Sequence, residues 1–387
     1  MARPLGAFSA DKRRGPWHHL DMSTTALLPK ERLRASSLDD APQVNDLLHR
    51  LGLGTLTQET LESFAGRNNN WAGHTSSGAR VFVKRLDGDR DEALIRFRRV
   101  LDLQEAISAG GTGDLRCPPL LGHDEEHRLL VFAWLEHGLA GNSLAAKGEF
   151  DAPLAYRCGR AIGALHRLPL IADRSAHPLP PTWALHALPL SLFSSARVAE
   201  LHYWTLLQND RPLITALEAL REREKSVELR SCHGDLRLDQ FLLHDDRLHV
   251  VDWEEARVAD PARDVGAFAG EWLHHAIRKI NSDVDKVYGP GVTLTRELIL
   301  ERGAAEIAAV RPLVEAFWQG YRDSGVTVDA GLAERATSFA GWHLLDRLLA
   351  TAGMQTRLRP IDLAAAGIGR NALLDPGRFV GTLGFAL

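Results

Sequence analysis

Two hydrophobic periods alternate along this chain, and it divides where one gives way to the other. Residues 41–51 place Val44, Leu47, Leu48 and Leu51 at helical spacing and stop at Gly52 and Gly54, which predicts a helix. A β-rich block follows. Residues 60–65, 71–75 and 79–86 read as three strands, joined by Gly66-Arg67-Asn68-Asn69-Asn70 and by Ser76-Ser77-Gly78. Asn and Gly tolerate positive φ, so both joints have hairpin chemistry and the strands are expected to run antiparallel. In the last strand Val81 and Val83 share one face, which puts Lys84 on the other. A helix is predicted over residues 90–109, with Leu94, Phe97, Leu101 and Ile107 as its apolar face. Cys117-Pro118-Pro119 ends that pattern. Residues 120–123 and 128–134 then add two strands, making five, before Gly138 and Gly141 open a hinge-like connection.

Beyond that connection the period is helical. Leu154, Cys158, Ala161, Ile162 and Leu165 form a stripe, and Gly159 and Gly163 permit close contact with another helix. A loop rich in proline (residues 168–181) leads to helices expected over 193–207 and 211–228. A hairpin of residues 240–243 and 248–252 interrupts them, and helices follow over 265–280, 297–321 and 332–352. Pro312 is expected to begin a helix rather than sit inside one. Residues 354–387 carry Pro360, Gly367, Gly369 and Gly377, which argue against one continuous helix. The pattern predicts an α+β chain: a flexible tail over 1–40, a small antiparallel β-rich lobe over 41–137, and a larger, mostly helical lobe over 138–387.

Composition changes this picture little. The chain has 387 residues, 45% hydrophobic and 25% charged, which is ordinary for a globular protein with two cores. A net charge of -4 gives no basic field, so a nucleic-acid partner is not expected. Three cysteines, Cys117, Cys158 and Cys232, are too few for a disulfide framework or a zinc site and suit a reducing, cytoplasmic setting. The first 37 residues mix basic, small and polar residues without the apolar run of a signal peptide, and Met22 offers an alternative start. No membrane association is expected either.

The candidate chemistry lies in Cys232-His233-Gly234-Asp235-Leu236-Arg237-Leu238-Asp239-Gln240, followed by His249-Val250-Val251-Asp252-Trp253-Glu254. Two aspartates at the ends of closely spaced strands suit one proton acceptor and one metal ligand, although turn aspartates flanking a hairpin read the same way. The Gly66 hairpin offers backbone N–H groups and the amides of Asn68, Asn69 and Asn70 to phosphate oxygens. It departs from G-x-G-x-x-G, and on its own it is also an ordinary polar turn. Lys84 either stays solvated on its strand or reaches such phosphates.

In order and spacing, these words resemble the aminoglycoside phosphotransferase and choline kinase branch of the protein-kinase-like fold. That branch reads H-G-D-x-x-x-x-N, then D-W-x, then D-P-x-x-D. This chain reads His233-Gly234-Asp235 through Gln240, then Asp252-Trp253-Glu254, then Asp260-Pro261-Ala262-Arg263-Asp264. Gly159 to His166 is similar to a further helix of the family. The resemblance implies a bilobal fold that uses ATP and magnesium. Asp235 is then the catalytic base or hydroxyl-orienting aspartate and Asp252 the principal magnesium ligand. Lys84 binds phosphates and pairs with a helix glutamate, Glu105 being preferred to Glu92 because it lies later in the helix. The hinge backbone near Ala133 and Leu135 takes adenine, and Asp264 and His233 support the loop. Gln240 stands where the family has a metal-binding Asn. Its carbonyl is a possible second ligand, but the extra methylene displaces it, and magnesium's octahedral geometry penalises that. Asp239 substitutes only if the loop is rotated.

A narrower likeness joins the segments 66–73, 81–86 and 233–242 to the phosphotransferase-like subunits of class V lanthipeptide and thioamitide biosynthesis, which share the Gln. It implies phosphorylation of Ser or Thr in a ribosomally made precursor peptide. A separate lyase partner then eliminates phosphate to leave dehydroalanine or dehydrobutyrine. A small-molecule kinase and a pseudokinase scaffold that binds peptide and lyase are the other readings.

Overall fold

The structure, a computed structural model, describes residues 32–33, 35–64, 66–110, 113–172, 182–282 and 296–386. The stretch before Arg32, with Met22, and the cluster Pro178–Pro181 lie outside the described residues. The small lobe is built on β3 (Asn69–His74), β4 (Arg80–Arg85), β5 (Leu120–Asp124) and β6 (Leu129–Ala133), an antiparallel sheet in the order β3-β4-β6-β5. The expected fifth strand is shorter than its sequence pattern. β2 (Ser63–Phe64) pairs with β1 (Arg32–Leu33) and joins β3 through the Asn70 side chain and a neighbouring bridge between Glu62 and Ala72. Residues 35–40 are therefore not all tail. Ala35 is buried, and the backbone carbonyl of Ser36 accepts the indole N–H of Trp71 at 2.9 Å. Trp71 is fully buried and needs that acceptor, which ties the segment down.

Val81 and Val83 of β4 pack with Trp71, Leu129 and Val131 against α1 (Gln43–Arg50), while Phe82 and Lys84 face the opposite side. On that side lies α2 (Arg90–Gly110). Its buried face differs from the expected one. Leu94, Leu101 and Ile107 are only half-buried, whereas Ala93, Arg96, Phe97, Arg99, Val100, Leu103 and Gln104 are buried. An arginine enters an interior only with partners, and two acidic residues of the other lobe supply them.

In the large lobe, β7 (Leu139–Ala140) leads into α3 (Gly141–Lys147) and α4 (Ala152–His166), the latter capped by the Asp151 carboxylate on the Leu154 N–H at 2.9 Å. The helix expected over 193–207 is two, α5 (Leu190–Ser195) and α6 (Val198–Gln208), because Ala196 and Arg197 are extended. After α7 (Arg211–Glu224), β8 (Arg230–Cys232) pairs with β11 (Arg257–Ala259), and β9 (Phe241–His244) pairs with β10 (Arg247–Val250) and β7. The remaining helices are α8 (Ala262–Ser282), α9 (Arg296–Asp323), α10 (Leu332–Ala352), α11 (Pro360–Leu374) and α12 (Pro376–Leu383). Pro312 sits inside α9 after all. It and Ala308, whose carbonyl loses its helical N–H partner, are both exposed. The core stacks Phe268 of α8 on Phe317 of α9 with ring centroids 3.9 Å apart. Among the described residues no helix is long and apolar enough to cross a membrane.

Candidate active site

The loop between β8 and β9 is held from beneath by one carboxylate. Asp264, at the start of α8, accepts the backbone N–H groups of His233 at 2.7 Å and Gly234 at 3.0 Å. It also takes His166 Nε2 at 3.1 Å, while His166 Nδ1 bonds the Tyr321 hydroxyl at 2.8 Å. Burial alone would raise the Asp264 pKa; the His166 hydrogen bond and the neighbouring imidazoles outweigh it and hold the carboxyl below its usual range. His166, Cys232 and Asp264 cluster within 4.8 Å, but the committed hydrogen bonds make them a buttress for the loop. His233, kept neutral by burial, donates from Nε2 to the Val251 carbonyl at 3.0 Å, stitching the two Asp-bearing segments together. Gly234 has φ +83, and a Cβ there would lie 2.2 Å from the Glu255 carbonyl oxygen. The chain thereby turns outward at Asp235, whose side chain is 39% exposed.

Between the sheet and the large lobe lies a cavity of about 420 Å³, walled by β4, α2, the hinge after β6, and the segment around Asp252. Asp252 adopts a left-handed backbone, φ +73, uncommon for a residue with a side chain and frequent where geometry serves a site. Lys84 donates to Asp252 Oδ1 and stands 3.2 Å from Glu254 Oε2. Burial works against the lysine's charge, but the two carboxylates prevail and its pKa rises.

Glu254 is the most heavily bonded acid here. Besides Lys84 it accepts Arg67 at 2.6 Å, Asn68 Nδ2 at 2.8 Å and Arg96 at 3.4 Å. Burial penalises its charge; Lys84, Arg67 and Arg96 overcome that and the repulsion of Asp252, bringing its pKa to about 2. Glu255 beside it takes Arg99 and Arg257, each at 3.0 Å. Arg67, Arg96 and Arg99 belong to the small lobe and both glutamates to the large one, so this ion network clamps the lobes together.

The structure brings most of the expected site residues to the cavity and moves others away. Lys84, Asp252, Asn68, Asn70, Ala133 and Leu135 line it. At the hinge the N–H groups of Ala133 and Trp134 are already taken, by the carbonyls of Pro119 and Arg80 at 2.9 and 3.1 Å. The asparagines mainly shape their own loop: Asn70 bonds Ser63 and the Phe64 backbone, and Asn68 joins Glu254 and the Asp87 N–H. Asn69 faces away and donates from both its backbone and side-chain nitrogens to Asp87. Glu105 does not pair with Lys84. It is exposed, because the helix turns Gln104 inward instead. Gln240 does not reach the cavity either: it is fully buried, and its Oε1 accepts the Arg237 N–H at 2.9 Å. Asp239 lines the cavity in its place.

Arg237 stands amid the carboxylates, 3.9 Å from Asp235, 3.4 Å from Asp239 and 3.9 Å from Asp252. Asp239 and Asp252 together give two hard oxygen donors around one guanidinium, a set that fits magnesium, which takes one or two carboxylates plus phosphate oxygens. Sequence reasoning gave no role to Arg67 or Arg96, and Glu254 read only as one of the acids of the large lobe that could line an acceptor pocket. The available signal was the pair Arg96 and Arg99, three residues apart and so on one side of α2, with Glu254-Glu255 as matching charges.

Comparison with known proteins agrees with this geometry. The phosphotransferase enzyme family (APH) matches residues 60–297. Protein LicA of Haemophilus influenzae is 37% identical over 79 residues, 18% of this chain and 30% of LicA, so the chain spans under a third of that relative. Amicoumacin kinase hAmiN, solved with AMP-PNP, Ca2+ and Ami, has a TM-score of 0.54 at 10% identity, over 89% of this chain and 94% of its own. A choline/ethanolamine kinase family protein from Mesorhizobium loti has a TM-score of 0.51 at 17% identity, over 90% of this chain and 99% of its own. At such identities these two share the fold. By the extent of the family match, the chain belongs to the phosphotransferase enzyme family.

Proposed function

We propose that this protein is an ATP- and magnesium-dependent kinase that phosphorylates Ser or Thr hydroxyls of a ribosomally made precursor peptide, preparing them for elimination by a separate lyase. The observation that carries the reading is the division of the site. Lys84 and Asp252 face a partly open cavity of about 420 Å³, while Asp235 stands at its edge with 39% of its side chain exposed. An acceptor therefore meets Asp235 without having to enter the cavity, which suits a hydroxyl carried on a polymer. The likeness of segments 66–73, 81–86 and 233–242 to lanthipeptide and thioamitide phosphotransferase-like subunits supports the same acceptor.

In this mechanism Lys84 binds ATP phosphates from the sheet side. Asp235 accepts a hydrogen bond from the acceptor hydroxyl, aligns it with the γ-phosphorus and takes its proton as the new P–O bond forms and the bond to ADP breaks. Asp252 and Asp239 would hold magnesium, which when bound supplies charge neutralisation for the phosphates. The phosphorylated side chain then carries a far better leaving group than hydroxide.

A small-molecule kinase is the second reading, favoured by the kinases that share this fold. Mass spectrometry after incubation with ATP, magnesium and the candidate precursor peptide, with and without the lyase, tests both. Gain of phosphate by the peptide, or loss of water once lyase is added, is expected, and Asp235→Asn should lower it by about 100-fold or more. An unmodified peptide beside a phosphorylated aminoglycoside or amino alcohol would establish the second reading. An unmodified peptide beside intact ATP binding, with no small-molecule product, would establish the scaffold.

A further inference from the structure

We infer that Glu254, in the large lobe, is the positioning residue for Lys84, so that the lysine is set in place by approach of the two lobes rather than by the small-lobe helix. This rests on the kinase reading above. In protein kinases the phosphate-binding lysine is held by a glutamate of the helix that follows it. Here α2 offers it no such anion. The α2 residues turned into the cavity are the apolar Val100 and Gln104, the latter uncharged and 7% exposed, with its Oε1 accepting the Cys117 thiol at 3.3 Å and its Nε2 without a hydrogen-bond partner. The neighbouring Glu105 is exposed.

What α2 presents toward the site is cationic. Arg96 and Arg99 are buried and reach Glu254 and Glu255 across the lobe boundary. The polarity of the helix contact is thus inverted: helix and lysine are both positive, and the acid comes from the turn after Asp252.

The two carboxylates on Lys84 are not equivalent. Glu254 is fixed by three further donors, Arg67, Asn68 and Arg96, which leave it a permanent anchor. Both line the cavity, but Asp252 is the more exposed, with 20% of its side chain accessible against 10%, and beside Asp239 it is the one for which a nucleotide and its cation compete. An incoming phosphate draws Lys84 off Asp252, and Glu254 keeps the ammonium within reach.

Titration calorimetry of the full chain with ATP and magnesium chloride tests this. Measured below its own, lowered, melting temperature, where circular dichroism shows it folded, Glu254→Gln should weaken ATP binding about tenfold or more, and Glu254→Asp, which keeps the charge, should recover part of the loss. Lys84→Ala should weaken binding comparably. Adding Glu254→Gln to Lys84→Ala should then change affinity by less than about twofold, because the glutamate acts through the lysine. Glu105→Gln should match the wild type. If Glu254→Gln does not fold, Glu254→Asp takes its place in the same cycle. Wild-type affinity in the single Glu254 variant, or a full additive loss in the Lys84→Ala background, would overturn the assignment. A wild-type chain that binds no ATP would overturn the kinase reading itself, and this inference with it.

Discussion

At Gln240 the side-chain carbonyl is spent on the backbone. Its Oε1 accepts the Arg237 N–H at 2.9 Å, closing the short turn that carries Asp239 toward the cavity. An asparagine is one methylene shorter and does not span the same gap, so the longer side chain and the use of Asp239 belong together. Removing it leaves a buried N–H without an acceptor, which costs about 1–3 kcal/mol. Gln240→Ala is therefore expected to lower the unfolding free energy by that amount, read as a lower urea midpoint at an unchanged denaturant slope. A midpoint equal to that of the wild type would show that the turn closes without this bond.

At the scale of elements, the contact between α4 and α9 shows what small residues determine. A Cβ on Gly159 would lie 2.0 Å from the Phe317 carbonyl oxygen, and one on Gly320 would lie 2.1 Å from that of Tyr156. Both collisions are with backbone, so no side-chain adjustment relieves them, and the helices must separate. The shift would be felt at the catalytic loop, because α4 ends at His166 and α9 carries Tyr321, the two residues that lead to Asp264. Gly159→Ala should cost about 1–3 kcal/mol or more. Gly367→Ala, in α11 with nothing within 4 Å of the new Cβ, should instead stabilise by about 0.4–1 kcal/mol. Thermal melts of the two variants are expected to move in opposite directions.

For the whole molecule the buried titratable groups set an acid limit on stability. Burial first, with Arg347 beside His274 and Lys279 beside His275, lowers these imidazoles from 6.5 to about 3 and about 4. Glu271 opposes the shift in both cases, and Arg278 adds to it. The folded chain keeps them neutral while the unfolded chain takes up protons below about 6.5, so their contribution is complete above that pH and declines as the pH falls. Glu254, at about 2 against an ordinary 4.5, adds a second decline below about 4.5. Asp346, raised by burial to about 6, works in the opposite sense between its ordinary 3.8 and that value. The denaturation midpoint is expected to be lower at about pH 5.5 than at about pH 7.5, and His275→Gln should reduce the difference. Equal midpoints at the two pH values would show that the histidines do not titrate as buried groups.

Local pattern was enough for much of this. The alternation of Val81, Val83 and Lys84 placed the lysine on the cavity side of β4, because strand periodicity is a property of the backbone alone. The run from His233 to Asp252 marked the loop, the family resemblance implied Asp264 as its support, and Gly159 and Gly163 announced a close helix pair. Pairings between distant segments were not legible. Lys84 pairs with Glu254 rather than Glu105 because α2 turns its arginines inward, and that rotation is decided by charges in the other lobe. Asp239 rather than Gln240 faces the cavity because the turn at Arg237 rotates them, a choice made by one buried hydrogen bond. Local periodicity thus marked most of the elements and placed Lys84, Asp235 and Asp252 at their ends and faces. Which of those residues meet was left to the tertiary structure, since burial and charge partners act across distances in the chain that local periodicity does not encode.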